Sequence, residues 1–296
     1  MLRFGLCCIF LNEPIRFRRT TARYLGRMPR PRQLEHLATL CRQNAQSLLQ
    51  ALEYCSRTGI GAFRVNSQIL PLKTHPQAGY RVEDLPGQRD IVAAFRACGR
   101  FARAHALRTS LHPDQFILLS SADAGVVERS AADLDYQAEV AEWIGADVIN
   151  IHGGGAYGDK PLALRRLAAN VRRLPARVRR RLSLENDDRV YTPADLLPVC
   201  RDLRLPLVYD VHHHRCLPDG VGIEETTAAV LTTWDREPLF HVSSPRDDGR
   251  SLREHHDYIR PSDVPPSWLD LDITMDVEAK AKELAVVRLM RELGRV

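Results

Sequence analysis

The segment Asp210-Val211-His212-His213-His214 carries four acid or imidazole side chains in five residues. It follows the apolar run Pro206-Leu207-Val208-Tyr209, whose length and composition predict a short buried strand. Holding so many polar groups at a strand end is costly unless a cation or a reaction uses them. A divalent metal takes neutral imidazole nitrogen and carboxylate oxygen together, so metal binding is the chemistry these residue types suggest. A solvated polar loop would account for this segment alone equally well. The same residue types recur elsewhere in the chain: His152, Glu185 and His241 stand at the ends of short apolar runs, His112 ends Arg108-Thr109-Ser110-Leu111-His112, and Glu278 follows another apolar run.

The elements that must position these residues alternate along the chain. Strands are expected at Arg3 to Phe10, Ala62 to Asn66, Arg108 to His112, Asp147 to His152, Leu182 to Glu185, Pro206 to Asp210, Leu239 to Val242 and somewhere within Leu269 to Val277. Helical periodicity fills the intervals, for example Pro31 to Arg57, Asp123 to Gly145 and Glu278 to Leu293, and Thr192-Pro193 is an N-cap followed by a first-turn proline. Eight strand-helix alternations in 296 residues predict an α/β TIM barrel. Without a long linker, residues 1–296 are expected to form one domain.

In such a barrel the C-terminal strand ends share one face. His112, His152, Glu185, Asp210, His213, His241 and Glu278 would therefore converge. A lone histidine at a strand end is more often a core or loop histidine than a ligand; recurrence at successive strands is what argues for a site. His255, after strand seven, is a further candidate, although spacing does not separate it from His256. So many donors exceed the four to six positions of one ion, which implies a cluster of two or three. Ions about 4 Å apart activate water and neutralise charge on attacking and leaving oxygens, as in phosphate-ester cleavage.

Composition narrows the setting. The opening apolar run is broken by Arg3 and closed by Asn12-Glu13 without a cleavage site, so it reads as a strand and not as a signal peptide or membrane span. Seven cysteines without a C-x-x-C pair favour reduced thiols in a cytoplasmic protein. The net charge is +5, and only four of the 42 basic residues are lysines. GC-rich coding explains an arginine bias as well as function does. The clusters say more: Arg16, Arg18, Arg19, Arg23, Arg27, Arg30 and Arg32 follow the first strand, where they would suit a phosphate backbone. Arg165 to Arg181 holds eight more, for which a solvated helix face is the commoner explanation.

Taken together, His112-Pro113-Asp114-Gln115-Phe116, His152-Gly153-Gly154-Gly155 with Gly158-Asp159-Lys160, Leu184-Glu185-Asn186-Asp187-Asp188, Asp210-x-His212-His213, His241-x-Ser243-Ser244, His255-x-Asp257-Tyr258-Ile259 and Glu278-Ala279-Lys280-x-Lys282-Glu283 resemble the UV-damage endonucleases, in order and over most of the chain. Phe63 to Pro71 is similar to that family's second-strand segment. The resemblance implies a barrel related to endonuclease IV and xylose isomerase, with a manganese-type cluster for which Zn2+ or Mg2+ could substitute. It implies incision of duplex DNA 5′ to UV photoproducts or other lesions, leaving a 3′-hydroxyl. The implied ligands are His112, His152, Glu185, Asp210, His213, His241, His255 and Glu278, with Glu185, Asp210 and Glu278 serving catalysis. Gln115 matches a residue inserted at the lesion. With Phe116, Asn12, Arg16, Arg18, Arg19, Asn66, Ser67, Gly154 and Lys160 it makes up the expected DNA contacts of a monomeric enzyme.

Three departures accompany the match. Leu239 stands where the family places a carboxylated lysine, which excludes a bridging carbamate there. Phe116 replaces a usual tyrosine. Leu6 replaces a usual aromatic, and Asn12 lies farther from Gly5 than the family's probing asparagine. Two other readings keep part of the pattern: a sugar isomerase or epimerase on the same barrel, and a degenerate protein that binds damaged DNA without cutting it. The first has no use for the basic loops.

Overall fold

The computed structural model describes residues 2–114, 116–246 and 251–295. Eight parallel strands close on themselves in sequence order, β1 (Arg3–Cys7), β2 (Ala62–Val65), β3 (Arg108–Leu111), β4 (Val148–His152), β5 (Leu182–Glu185), β6 (Leu207–Asp210), β7 (Leu239–Val242) and β8 (Thr274–Val277). The expected TIM barrel is thus the observed fold. Each strand is only four or five residues long because both of its faces are covered, by the barrel interior and by the helices outside, so a short apolar run suffices.

The crossovers carry α1 (Ala22–Leu25), α2 (Arg30–Thr58), α3 (Gln88–Ala104), α4 (Ala124–Ile144), α5 (Lys160–Arg173), α6 (Ala176–Arg179), α7 (Pro193–Leu203), α8 (Val211–Cys216), α9 (Ile223–Leu231) and α10 (Glu283–Glu292). Local chemistry sets their starts. Asp123 caps α4 by accepting from the N–H groups of Gly125 and Val126, Asp159 caps α5 through Leu162 N, and Thr192 with Asp195 forms a reciprocal capping box on α7. The buried faces of α2 and α4, with Leu37, Leu48, Leu52, Leu134 and Val140, seal the outer surface of the sheet.

The first strand ends at Cys7 and not at Phe10, and two boundaries at the barrel mouth also differ from expectation. Residues 211–216 form a helix immediately after β6, so alternation along a strand does not orient His213; Asp210 and His213 instead sit three apart at a helix start. The last helix begins at Glu283 and not at Glu278, which leaves residues 278–282 as a loop at the barrel mouth. Glu283 is buried there and accepts from the backbone N–H groups of Leu11, Asn12 and Glu13 at 2.8, 2.7 and 3.2 Å. One carboxylate therefore pins the loop after β1 to the chain after β8.

The opposite end of the barrel is closed by polar contacts. Arg108 pairs with Asp147 at 2.9 Å, and Glu237 accepts from Arg3 at 2.8 Å and Thr274 at 2.5 Å. Above them Leu239 packs against Val148 and Val208, with Trp234 beside them. The position that the family resemblance reserves for a modified lysine is therefore part of an apolar plug.

Candidate functional site

Parallel register places the inward residues of neighbouring strands level with one another. His152 pairs with Glu185, Asp210 with His241, and His241 with Asp276. Because side chains alternate, Glu185, Asp210, His241 and Glu278 all project to the axis at the C-terminal end.

Glu185 is the hub. Its Oε2 lies 2.8 Å from His112 Nε2, 2.5 Å from Asn150 Nδ2 and 3.9 Å from His152 Nε2. Its Oε1 lies 3.0 Å from His241 Nδ1 and 3.5 Å from His213 Nδ1. Asp210 caps α8 by accepting from His213 N at 2.8 Å through Oδ1, while its Oδ2, 3.4 Å from His213 Nδ1, is buried without a hydrogen-bond partner. Glu278 bonds Arg64 at 2.5 Å and lies 3.4 Å from His241 Nδ1.

Among the described residues three groups bring ligand atoms within 4.8 Å of one another: His112, His152 and Glu185; Glu185, Asp210 and His213; and Asp210, His241 and Glu278. Shared members link the three into one patch. Mixed imidazole and carboxylate donors of this kind fit manganese, zinc or iron-type ions. The unpartnered buried Asp210 Oδ2 and His152 Nδ1 are what a polar site made for an additional cation would leave.

The charges balance in a way that follows from burial. Burial drives Glu185 toward neutrality, but His241, His152 and His112 outweigh it and hold the carboxyl well below its ordinary range. Glu278 is likewise depressed, with Arg64 and His241 overcoming its desolvation. For His213 and His241 burial favours the neutral ring, yet the facing carboxylates raise both to about 9. His152 is held down by its own burial. Protons on His213 and His241 thus offset carboxylate charge where ions would do so.

The rim differs in character from the floor. A cavity of about 580 Å³ opens above the patch, lined by Arg19, Arg64, Asn66, Ser67, Phe116 and Lys282 as well as by the site residues. Among the described residues the exposed large apolar side chains Ile9, Leu11, Phe116, Tyr157 and Leu252 lie in loops on this side of the barrel and Tyr24 lies in the short helix α1 within the first of them, and Phe116 is 74% exposed. Arg16, Arg18 and Arg19 are exposed on the loop after β1, where Arg16 also bonds the carbonyls of Glu13 and Ile15. Asn12, exposed too, lies on the loop pinned by Glu283.

The remaining expected residues fall as follows. His255 faces Glu278 at 3.8 Å and lines a side cavity with it, whereas His256 turns to the backbone of Tyr258, so geometry separates the adjacent pair. His214 is tied to Tyr209 and Asp219 at 2.7 and 2.8 Å, away from the patch. Asn66 is buried and accepts from Gln68 N, and Ser67 offers its carbonyl to Tyr136. Gly154 has φ +84°, and a Cβ there would crowd Ser120. Lys160 is paired with Asp195 at 2.8 Å. Gln115 lies outside the described residues. Arg64, Asn150, Asp276 and Glu283 are absent from the sequence-based set. Arg64 and Glu283 fall within the family-like segments without a role assigned to them, and Asp276 precedes Glu278 by two and so shares its face.

Comparison with known proteins gives the arrangement a family. The profile of the UV-endonuclease UvdE family matches residues 2–296. The UV DNA damage endonuclease of Bacillus velezensis is 33% identical over 317 residues, spanning 100% of this chain and 95% of its own. That of Bacillus cereus strain G9842 is 32% identical, spanning 94% and 88%. The crystal structure of SacUVDE superposes with a TM-score of 0.88 at 25% identity, covering 100% of each chain. Endonuclease IV from Thermus thermophilus, at 16% identity and a TM-score of 0.62 over 99% of this chain and 97% of its own, shares the fold. Profile and full-length relatives agree, and the chain belongs to the UV-endonuclease UvdE family.

Proposed function

We propose that this chain, a DNA repair endonuclease of its family, hydrolyses a phosphodiester on the 5′ side of UV photoproducts or other lesions in duplex DNA, using two or three divalent ions at the barrel mouth. The observation that carries the proposal is the linked patch of imidazoles and carboxylates beneath an apolar and basic rim. His112, His152, Glu185, Asp210, His213, His241, His255 and Glu278 would hold the ions, with manganese the metal that the family resemblance favours. Bound there, such ions supply Lewis acidity that lowers the pKa of water and neutralises the departing oxygen.

The chain's own residues supply the rest. Glu185 and Glu278 keep their charge because neighbouring cations hold them ionised, and Asn150, the His213 N–H and Arg64 fix the orientation of Glu185, Asp210 and Glu278. Such fixed polar groups need no reorganisation during reaction. Arg19 and Lys282, which line the cavity, are placed to meet phosphate oxygens, while Arg16 and Arg18 extend the basic track along the loop. Phe116 presents a ring to a base, and unstacking costs least where damage has already weakened the stack. A neutral sugar would use neither the basic loop nor the exposed rings, which argues against the isomerase reading.

The test is incision of irradiated supercoiled plasmid with added Mn2+. Nicking that requires both irradiation and metal supports the proposal. Protein that binds ions yet never nicks above the unirradiated control refutes it.

A further inference from the structure

Strand β8 carries a second carboxylate, Asp276, two residues before Glu278 and on the same inward face, one layer deeper in the barrel. It is fully buried, and neither carboxylate oxygen has a hydrogen-bond partner. An unpaired buried carboxylate is among the costliest groups a core can hold. Its place has been kept open, since a Cβ on Gly5 of the adjoining strand β1 would overlap Asp276 Oδ1.

Directly across the β7–β8 pair stands His241. Its Nε2 is also buried without a partner, and lies 3.8 Å from Asp276 Oδ2. That gap is too narrow for a water between them and about 1 Å longer than a direct bond. The two nitrogens of His241 therefore face different groups: Nδ1 looks to Glu185 at 3.0 Å and Glu278 at 3.4 Å, and Nε2 looks to Asp276. Two other site histidines have a backbone carbonyl for one ring nitrogen. His112 Nδ1 lies 3.1 Å from Pro113 O, and His213 Nδ1 lies 3.0 Å from Asn186 O. His241 sits deeper, and the acceptor at that depth is Asp276. Arg64, 4.0 Å from Asp276 Oδ2, offsets part of its charge.

We propose that Asp276 is a positioning residue of the metal centre: it accepts the Nε2–H of His241, fixes that tautomer, and so turns the Nδ1 lone pair toward an ion held beside Glu185 and Glu278. The inference rests on the reading that the mouth binds divalent ions. Carboxylate partners of this kind orient metal-ligating imidazoles and raise their basicity, and their loss costs about 10–100-fold in metal affinity.

The experiment uses full-length protein stripped with chelator and reloaded with Zn2+. Uptake is counted by elemental analysis, affinity measured by calorimetry, and ring tautomers read by long-range 1H–15N spectra of histidine-labelled protein, His241 being identified by its loss in His241→Gln. In wild type the His241 signal is expected as the Nε2–H form with a metal-shifted Nδ1. Asp276→Leu is expected to weaken one ion about 10–100-fold and to change that signal. Asp276→Asn, whose amide oxygen still accepts, is expected to keep the tautomer with a smaller loss. Wild type that loads ions with His241 as the Nδ1–H form overturns the inference, whether or not the variants fold. So does a folded Asp276→Leu with unchanged affinity and His241 signal. Wild type that takes up no ion overturns the metal reading and this inference with it.

Discussion

Replacing Glu185 by glutamine keeps the shape of the site's hub and removes its charge. In the metal-stripped protein Glu185 faces four imidazoles, and two of these, His213 and His241, are raised to about 9 in part by it. Removing one partner of a buried charged pair costs about 3–5 kcal/mol. For a chain of this size that lowers the melting midpoint by roughly 6–20 °C. The penalty should depend on pH. Because the two histidines titrate above their ordinary 6.5, their stabilising contribution is present in full below about pH 6.5 and is lost as pH rises toward 9. At about 1.4 kcal/mol per unit, each contributes at most about 3.5 kcal/mol, less in sum because both share the same carboxylates. Thermal unfolding of chelator-treated wild type and Glu185→Gln between pH 6 and 9 measures both effects. The wild type should lose stability across that range and the variant should lose less, because Glu278 still raises both histidines and Asp210 still raises His213. Equal midpoints at pH 6.5, or parallel pH profiles, would refute the electrostatic account of the hub.

Three further outcomes are expected. Glu237, at the opposite end of the barrel, is lowered because Arg3 and Thr274 overcome its partial burial; Glu237→Gln should cost about 1–3 kcal/mol near neutrality, and the difference from wild type should shrink as pH falls below the ordinary 4.5 through the folded value, as acid denaturation would record. Phe116→Ala should weaken binding to lesion-bearing duplex by about 1–3 kcal/mol without altering metal content, measured by fluorescence anisotropy and elemental analysis. Arg18→Ala combined with Arg19→Ala should lower affinity for damaged and undamaged duplex alike and flatten the salt dependence by about one to two in log–log slope; an unchanged slope would remove this loop from the DNA path.

The barrel was legible because several of its strands, covered on both faces, read as short apolar runs, and four of the eight strand regions end in or beside a His, Glu or Asp: β4 at His152, β5 at Glu185, β6 at Asp210 and β7 at His241. Strand β5, β7 and the Thr192 cap of α7 lie where their residues indicate. What the sequence obscured has physical reasons. His213 is aimed by a six-residue helix that Asp210 caps, and the run Val211 to Cys216 is too short to show helical period. Strand β8 was blurred because Asp272, Thr274 and Asp276 interrupt its apolar pattern, and the interruption at 276 is itself part of the site's floor. Glu283 resembles any acidic first-turn residue until three backbone N–H groups from residues 11–13 converge on it. Arg64 and Asn150, placed inside strands, look like pattern faults in sequence. In three dimensions they orient Glu278 and Glu185.

The most direct measurement of the central claim is cleavage of a duplex bearing one photoproduct at a known position, end-labelled on the damaged strand. Metal-stripped enzyme is supplied with Mn2+, Mg2+ or Zn2+ in turn, and product ends are mapped at single-nucleotide resolution. The account predicts a single cut on the 5′ side of the lesion that leaves a 3′-hydroxyl, is abolished by chelator and is restored by at least one of these ions. Cleavage that persists in chelator, or metal-loaded enzyme that leaves this duplex intact, would contradict it.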